Sequence, residues 1–136
     1  MAESESKGRV IGYWVTTALV ALAMGGGGVA DVLRLEPVVE IITKLELPVY
    51  ILTIIGVAKI LGVVTVLLPG FARLKEWAYA GFSIDLIGAT AAHAFVKDPV
   101  VDTITPSFVW LIVMASWWLR PDSRKLSDRP KESASE

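Results

Sequence analysis

The sequence is dominated by four apolar runs, each long enough to cross a lipid bilayer. They cover residues 10–33, 49–68, 77–96 and 103–119 of the 136-residue chain. About 20 helical residues, each rising 1.5 Å, span the ~30 Å of bilayer hydrocarbon. Because 54% of the residues are hydrophobic, we expect one polytopic membrane protein rather than a soluble domain. The predicted fold is all-α, a four-transmembrane-helix bundle.

The segments outside these runs suggest tails and one short extra helix. The bundle is predicted over residues 9–120, and the Ser-, Glu-, Lys- and Pro-rich segments 1–8 and 121–136 are predicted to be mobile tails. Segment 37–47 is too polar to span a membrane, but its apolar residues can share one helical face. This favours a short helix lying in the outer interface over a simple loop.

Positive charge is distributed unevenly between the two sides of the predicted bundle. Nine Lys and Arg residues fall in the N-terminus, the 69–76 loop and the C-terminus, against three in the other connections. The positive-inside rule therefore predicts an N-in, C-in topology with both termini cytoplasmic. We expect an integral protein of the bacterial cytoplasmic (inner) membrane, in contact with lipid and without a nucleic-acid partner.

Two opposite charges lie inside neighbouring apolar runs. Lys59 is nine residues from the cytoplasmic end of the second run, and Asp85 is eight residues from that of the third. Both would lie about 12–14 Å deep, and the short loop 69–76 makes the two helices an antiparallel hairpin. We therefore predict a Lys59–Asp85 ion pair near the membrane midplane, a position typical of functional sites.

The helix faces that carry these charges consist of small residues. They are Gly56 and Gly62 beside Lys59, and Gly81, Gly88 and Ala92 beside Asp85. Small faces allow membrane helices to approach closely, which favours direct contact between the charges. Two roles remain open: a static pair that fixes helix register, and a group that handles a ligand or a proton.

A second set of polar residues is predicted nearer the outer face. Asp31 ends the first run, Tyr50 begins the second, and His93, the only histidine, lies two turns beyond Asp85. An Asp–His pair can transfer protons near neutral pH. The alternative is that these side chains simply contact headgroups and water, as polar and aromatic groups commonly do at an interface.

Four consecutive glycines, residues 25–28, interrupt the first apolar run. They remove all side-chain bulk over one turn, which can serve helix packing, a kink or a ligand cavity. A cavity beside Gly28 would have Met24 and Trp110 as walls, unless Trp110 faces lipid. The candidate ligand site thus comprises Lys59, Asp85, His93, Asp31, Tyr50, Met24, Gly28 and Trp110.

The composition limits the chemistry available. The chain has no cysteine and one histidine, so thiol chemistry is excluded and a typical transition-metal site is not expected. We predict no metal and no cofactor. If the protein is an enzyme, the expected catalytic residues are Lys59, Asp85 and His93, acting as acid, base or electrostatic stabiliser.

The stretch GVAKILGVVTVLLPGFARLKEWAYAGFSIDLIGATAAH, residues 56–93, resembles the DoxX-like family of small four-helix membrane proteins. The Gly-Val-Ala-Lys segment and the Leu-Lys-Glu-Trp-Ala-Tyr-Ala-Gly-Phe segment are its most specific parts. The resemblance implies a four-helix bundle and places Lys59, Asp85 and His93 in the family's recurring motif. Some members are described as partners of redox systems, including quinone-linked ones, and more distant relatives as assembly factors.

Three functions are therefore open. The first is binding of a lipophilic molecule, quinone- or isoprenoid-like, at a Lys59/Asp85 centre, as an accessory component of a membrane redox system. The second is a membrane enzyme that carries out acid–base chemistry on such a molecule. The third is a structural or assembly subunit with a static ion pair. A membrane-protein partner or a homo-oligomer is compatible with each.

Overall fold

The computed structural model describes residues 6–126, and every regular element in that part of the chain is helical. The five main helices are α1 Lys7–Val32, α2 Glu36–Lys44, α3 Ile51–Leu67, α4 Ala72–Phe95 and α5 Val100–Leu119. A single 3₁₀ turn, Asp122–Arg124, follows α5. The predicted all-α class is confirmed.

Helix α1 runs through the glycine-rich segment without breaking. It is α-helical over Lys7–Val20 and Gly26–Val32, and one π-helical turn, Ala21–Gly25, joins the two parts. Ser6 begins the helix, since its hydroxyl accepts a hydrogen bond from the Arg9 backbone N–H at 3.2 Å. The helix therefore starts within the segment 1–8 that was predicted to be a tail.

A tight turn joins α3 to α4. Gly70 and Phe71 both have positive φ angles, 75° and 54°, and α4 begins at Ala72, five residues before the apolar run that predicted it. The residues between include Arg73, Lys75 and Glu76, which are good helix formers. The apolar run therefore predicted a helix here, but it did not predict that the helix begins five residues earlier, within the charged segment.

The buried cation Lys75 caps the C-terminal end of α3. Its side chain is fully buried, and its ammonium donates to the carbonyl oxygens of Thr65 (3.0 Å), Gly70 (2.5 Å) and Leu68. The last carbonyls of a helix lack intrahelical partners and carry partial negative charge. Lys75 thus satisfies the Thr65 and Leu68 carbonyls at this end and fastens the α3–α4 hairpin.

The four long helices form a ring of neighbours. The first half of α1 packs on α5 and its second half on α3, while α4 packs on both α3 and α5. The hydrophobic core comprises Val20, Met24, Val66, Tyr79, Phe82, Leu86 and Val113. The Ser116 hydroxyl joins α1 and α4 to α5 through 2.8 Å hydrogen bonds with Thr17 and Tyr79, the kind of polar contact that holds membrane helices together.

Two helices are long and apolar enough to cross a membrane, namely α1 and α5. Helix α3 is apolar but shorter, at 17 residues, and α4 has 24 residues that include several charges. In the described part of the chain, two of the four predicted spans thus meet the length and hydropathy expected of a membrane helix.

The short helix predicted over residues 37–47 is present as α2. Pro37 lies in its first turn, and Ile42 is buried under the bundle. The prediction of a helix here is confirmed, and its interfacial position stays a prediction.

The segment after α5 turns back onto the bundle. Arg124 donates to the Val66 carbonyl at 2.9 Å and lies 4.8 Å from the ring centre of Trp14. The start of the predicted tail 121–136 is therefore in contact with α1 and α3. The rest of that tail, from residue 127, and residues 1–5 lie outside the described residues.

Candidate functional site

Lys59 contacts two carboxylates rather than one. Its ammonium lies 2.9 Å from Asp31 Oδ2 and 3.5 Å from Asp85 Oδ2. The Asp31 side chain is 7% exposed, whereas that of Asp85 is 25% exposed. The predicted contact between Lys59 and Asp85 is present, and a nearer, more deeply buried partner comes from α1. We call these three residues the Lys59 cluster.

A close helix crossing brings Asp31 to Lys59. Gly25 faces Val63 and Gly28 faces Gly56, so α1 and α3 run antiparallel. Side chains tilt toward the N-terminus of their own helix. Asp31 and Lys59 each lie three residues after one of the crossing glycines, so their side chains lean toward each other across the crossing.

The backbone of α3 approaches α1 most closely at Gly28. A Cβ on Gly28 would lie 2.9 Å from Lys59 Cβ and 3.0 Å from the Gly56 carbonyl oxygen, and one on Gly27 would lie 3.9 Å from Lys59 Nζ. Distances near 3 Å do not accommodate a side chain. Of the roles left open for glycines 25–28, helix packing fits Gly28, whereas a Cβ on Gly27 would make only an ordinary contact with the Lys59 ammonium.

Asp31 is not in the polar set that was predicted for it. The sequence grouped Asp31 with His93 and Tyr50 near the outer face, but Asp31 binds Lys59 instead. Tyr50 is 63% exposed at the start of α3. The grouping was wrong because depth along each helix was counted without the rotation of α1, which the glycine crossing determines.

His93 has a different carboxylate partner, which the sequence reasoning missed. His93 Nδ1 lies 2.6 Å from Asp98 Oδ2, and the other oxygen of Asp98 forms an ion pair with Lys44. Helix α2 and the α4–α5 loop are thereby joined. A possible signal was the spacing of five residues between His93 and Asp98 across a helix end. We call Lys44, His93 and Asp98 the His93 cluster.

The environment of Asp98 favours its charged form. The hydrogen bonds from Lys44 and His93 lower the pKa of the Asp98 carboxyl below its usual 3.8. The same contact with Asp98 raises the pKa of Lys44 above 10.5. This pair is therefore charged over the whole physiological range of pH.

The Lys59 cluster and His93 lie along one groove of about 1020 Å³. The groove lies between α3 and α4, and residues of α2 and the first turns of α5 contribute to its lining. Asp31, Lys59, Asp85 and His93 all line it, among mainly apolar side chains. An apolar groove with a few convergent polar groups is the usual form of a small-molecule site.

The small residues beside Asp85 leave the groove open. Gly81 and Gly88 line it, and a Cβ on either would meet nothing within 4 Å. Only Gly62, on α3, meets the opposite helix, where Phe82 would lie 2.6 Å from its Cβ. The small face of α4 therefore borders open space beside Asp85, and the close approach expected of it occurs between α1 and α3 instead.

Three predicted site residues lie elsewhere. Met24 is 2% exposed in the hydrophobic core, and Gly28 lies in the α1–α3 crossing. Trp110 packs against the same core, and its indole N–H is buried without an acceptor among residues 6–126. None of the three lines the groove. Of the predicted site residues, the groove brings together Asp31, Lys59, Asp85 and His93.

The described residues contain no group of three His, Asp or Glu side chains placed to hold a metal ion. The Lys59 cluster could instead bind a polar organic group. An ammonium has three N–H donors, and two of those of Lys59 are directed to Asp31 and Asp85. One donor and the partly exposed Asp85 carboxylate remain for a ligand.

These features define a small, all-helical membrane protein with charged residues between its helices. A model of the DoxX-like family matches residues 15–116. The chain belongs to this family, which confirms the resemblance in residues 56–93. No curated protein and no solved structure matches the chain.

Proposed function

We propose that this protein binds a lipophilic small molecule, quinone- or isoprenoid-like, in the groove between α3 and α4. The observation that carries the proposal is the Lys59 cluster in the wall of a large apolar groove. In this role the protein is an accessory component of a membrane redox system, which is how some members of the DoxX-like family are described.

The proposal includes a four-span bundle with both termini cytoplasmic. Helix α3, with 17 residues, is ~25 Å long, and α4, with 24 residues, is ~36 Å long. Both pack with α1 and α5 into one ring of four helices. In this proposal all four helices therefore lie in the same layer of the membrane. The end that carries Lys75, Arg120 and Arg124 faces the cytoplasm by the positive-inside rule.

A ligand in the groove would meet two kinds of surface. Its polar end would accept a hydrogen bond from Lys59, while Asp31 holds the ammonium from the buried side. Its apolar part would lie along aliphatic and aromatic residues such as Ile55, Phe82 and Leu86, which line the groove. The Gly81 and Gly88 positions keep the path beside Asp85 open.

A second candidate is an enzyme that carries out acid–base chemistry on the same type of molecule. The observation favouring it is that Lys59, Asp85 and His93 all line one groove. Asp85 or His93 would serve as base and Lys59 as acid or electrostatic stabiliser. Asp31 would then be a positioning residue, because it contacts Lys59 from the buried side.

A structural role for the ion pair is the third candidate. The short Lys59–Asp31 contact joins α1 to α3 at their closest crossing. Such a pair can specify one helix arrangement and be replaceable by apolar side chains of similar size. This role accounts for Asp31, and it leaves the open groove beside Asp85 without a purpose.

Native mass spectrometry of the purified protein, with extraction of bound lipids, separates these functions. We expect wild type to retain a defined lipophilic molecule that Lys59→Met loses. Because Lys59→Met leaves two carboxylates together, a Lys59→Met/Asp31→Asn double variant is a second arm, and thermal unfolding checks that each variant folds. Release of bulk lipid only from all folded variants would contradict ligand binding.

Asp85→Asn distinguishes a binding protein from an enzyme. An enzyme loses product formation in this variant while the ligand remains bound. A structural subunit instead keeps its cellular activity when Asp31, Lys59 and Asp85 are replaced together by Leu, Met and Leu.

A further inference from the structure

A second cleft, at the opposite end of the bundle from the His93 cluster, is lined almost entirely by cations and tryptophans. It has a volume of about 360 Å³ and is formed by Arg9, Trp117, Trp118, Arg120 and Lys125. Arg9 comes from the start of α1, and the other four come from the end of α5 and the segment after it. We call this the Arg120 cleft.

Arg120 is a buried guanidinium that its neighbours satisfy only in part. The residue is 3% exposed. Its Nη2 donates to Glu76 Oε1 at 2.5 Å and its Nε donates to the Trp117 carbonyl at 3.0 Å. Its Nη1 is buried and has no acceptor in the described part of the chain. Buried polar groups are nearly always hydrogen-bonded, so this donor needs an acceptor from elsewhere.

Arg9, in the same cleft, also has a buried N–H donor that lacks an acceptor among the described residues. Its Nη2 makes two long contacts, each 3.4 Å, to the carbonyl oxygens of Trp118 and Arg120. Its Nε is buried without an acceptor among residues 6–126. Two guanidinium groups with unsatisfied buried N–H donors thus line one cleft.

The cleft and its surroundings also carry an excess of positive charge. Among residues 6–126, its three cations have two carboxylate partners, Glu76 on Arg120 and Asp122 on Lys125. Trp117 Nε1 donates to the second oxygen of Glu76 at 2.8 Å, so both oxygens of this carboxylate are engaged. The nearby Lys75 donates to three backbone carbonyls, which do not neutralise its charge.

We propose that the Arg120 cleft binds a phosphate group. Guanidinium groups recognise phosphate oxygens through paired, charge-assisted hydrogen bonds. Two sources share this chemistry: the headgroup of an anionic phospholipid and free phosphate. The tryptophans suit the first source, because Trp side chains collect at headgroup level, and basic pockets on the cytoplasmic side of a bundle bind anionic headgroups.

This site is independent of the groove between α3 and α4. The two sets of lining residues have no member in common, and no cation of the cleft contacts Asp31 or Asp85 in the described chain. Loss of ligand binding in the groove would leave this proposal unaffected, and the reverse holds as well.

The lipid arm of the test uses the full chain in nanodiscs of phosphatidylcholine with phosphatidylglycerol. Native mass spectrometry measures retained phosphatidylglycerol for wild type, Arg120→Gln and Arg9→Gln, with Arg73→Gln as control. Arg73 is exposed and lies at the same end of the bundle. We expect wild type and the control to retain the lipid, and the other two variants to bind it at least about tenfold more weakly.

The phosphate arm titrates inorganic phosphate into the protein in dodecyl maltoside, a detergent without a phosphate group, followed by tryptophan fluorescence. A response here without retention of phosphatidylglycerol assigns the site to free phosphate. Should Arg120→Gln fail to fold, Arg9→Gln decides, since its side chain makes only long contacts. The proposal is overturned if neither probe binds wild type, or if Arg9→Gln binds both probes as wild type does.

Discussion

Asp31 holds the Lys59 ammonium from the buried side, at 2.9 Å, and Asp85 approaches it from the groove side, at 3.5 Å. The two carboxylates therefore differ in distance and in exposure although both contact the same lysine. Asp31, on α1, fixes where Lys59 lies, whereas Asp85, with a quarter of its side chain exposed, faces the space that a ligand would occupy.

We predict that the two carboxylates contribute unequally to the stability of the fold. Asp31→Asn removes the nearer, buried partner of Lys59 and should lower the free energy of unfolding by about 2–3 kcal/mol, the scale of a hydrogen bond to a charged group. Asp85→Asn should cost about 1 kcal/mol or less, because its contact is longer and more exposed. Thermal unfolding in one detergent measures both. Equal losses, or a larger loss for Asp85→Asn, would contradict this division.

The α1–α3 crossing should tolerate no side chain at Gly56. A Cβ there would lie 2.7 Å from the Gly28 carbonyl oxygen and 2.9 Å from the Val32 nitrogen, so the helices must separate. We expect Gly56→Ala to destabilise the protein by about 2 kcal/mol. The control is Gly26→Ala, whose Cβ meets nothing within 4 Å and which should be neutral or slightly stabilising. Similar unfolding midpoints for both variants would refute the close crossing.

Lys75 should be necessary for the α3–α4 hairpin. Lys75→Met leaves the Thr65 and Gly70 carbonyl oxygens without their charged donor, and Leu68 with only a 3.4 Å contact from Arg124. We expect a loss of about 2 kcal/mol in the free energy of unfolding. Arg73→Met is the matched control, because Arg73 is an exposed cation in the same helical turn. The expected difference between them appears in thermal unfolding, and its absence would show that Lys75 does not cap α3.

The ion pair between Lys44 and Asp98 contributes to the stability of the fold in a way that depends on pH. The direction of that dependence follows from the shifts in the two pKa values. The pKa of Asp98 is lowered, so the stability that its charged carboxylate contributes is fully present above pH 3.8. That stability is lost as the pH falls through the lowered pKa. The pKa of Lys44 is raised, so the stability that its charged ammonium contributes is fully present below pH 10.5. That stability is lost as the pH rises through the raised pKa. In a His93→Gln background, which removes the other ionisable partner of Asp98, the difference in unfolding midpoint between Asp98 and Asp98→Asn should therefore be constant between these limits and shrink outside them.

The control for this pH series is Glu40→Gln, an exposed carboxylate on the same helix as Lys44. Its difference from wild type should be small throughout. An Asp98→Asn difference that varies between pH 3.8 and 10.5 would mean that another group controls the contact.

The helices and one charge contact were predictable from sequence because both follow from counting along the chain. Apolar runs gave the approximate helices, and equal distances from a short loop placed Lys59 level with Asp85. The 3.5 Å contact confirms that reasoning. The amphipathic pattern of residues 37–47 likewise predicted α2.

The partners of these residues depended on helix rotation and loop conformation, which counting does not provide. Asp31 reaches Lys59 only because Gly28 and Gly56 select one face of α1. Asp98 reaches His93 and Lys44 through the conformation of the α4–α5 loop, where Lys97 has a positive φ of 57°. The spacing of Gly81 and Gly88 was ambiguous for a related reason: a small face can border a helix or an open groove.

Filling the groove tests the central claim most directly. Gly88→Leu places a side chain into open space beside Asp85, and Gly26→Leu places the same side chain on an exposed face of α1 away from the groove. Native mass spectrometry with lipid extraction then compares the lipophilic molecules retained by each variant and by wild type. We expect wild type and Gly26→Leu to retain a defined molecule that Gly88→Leu loses while remaining folded. Equal retention by all three would show that the groove is not the binding site.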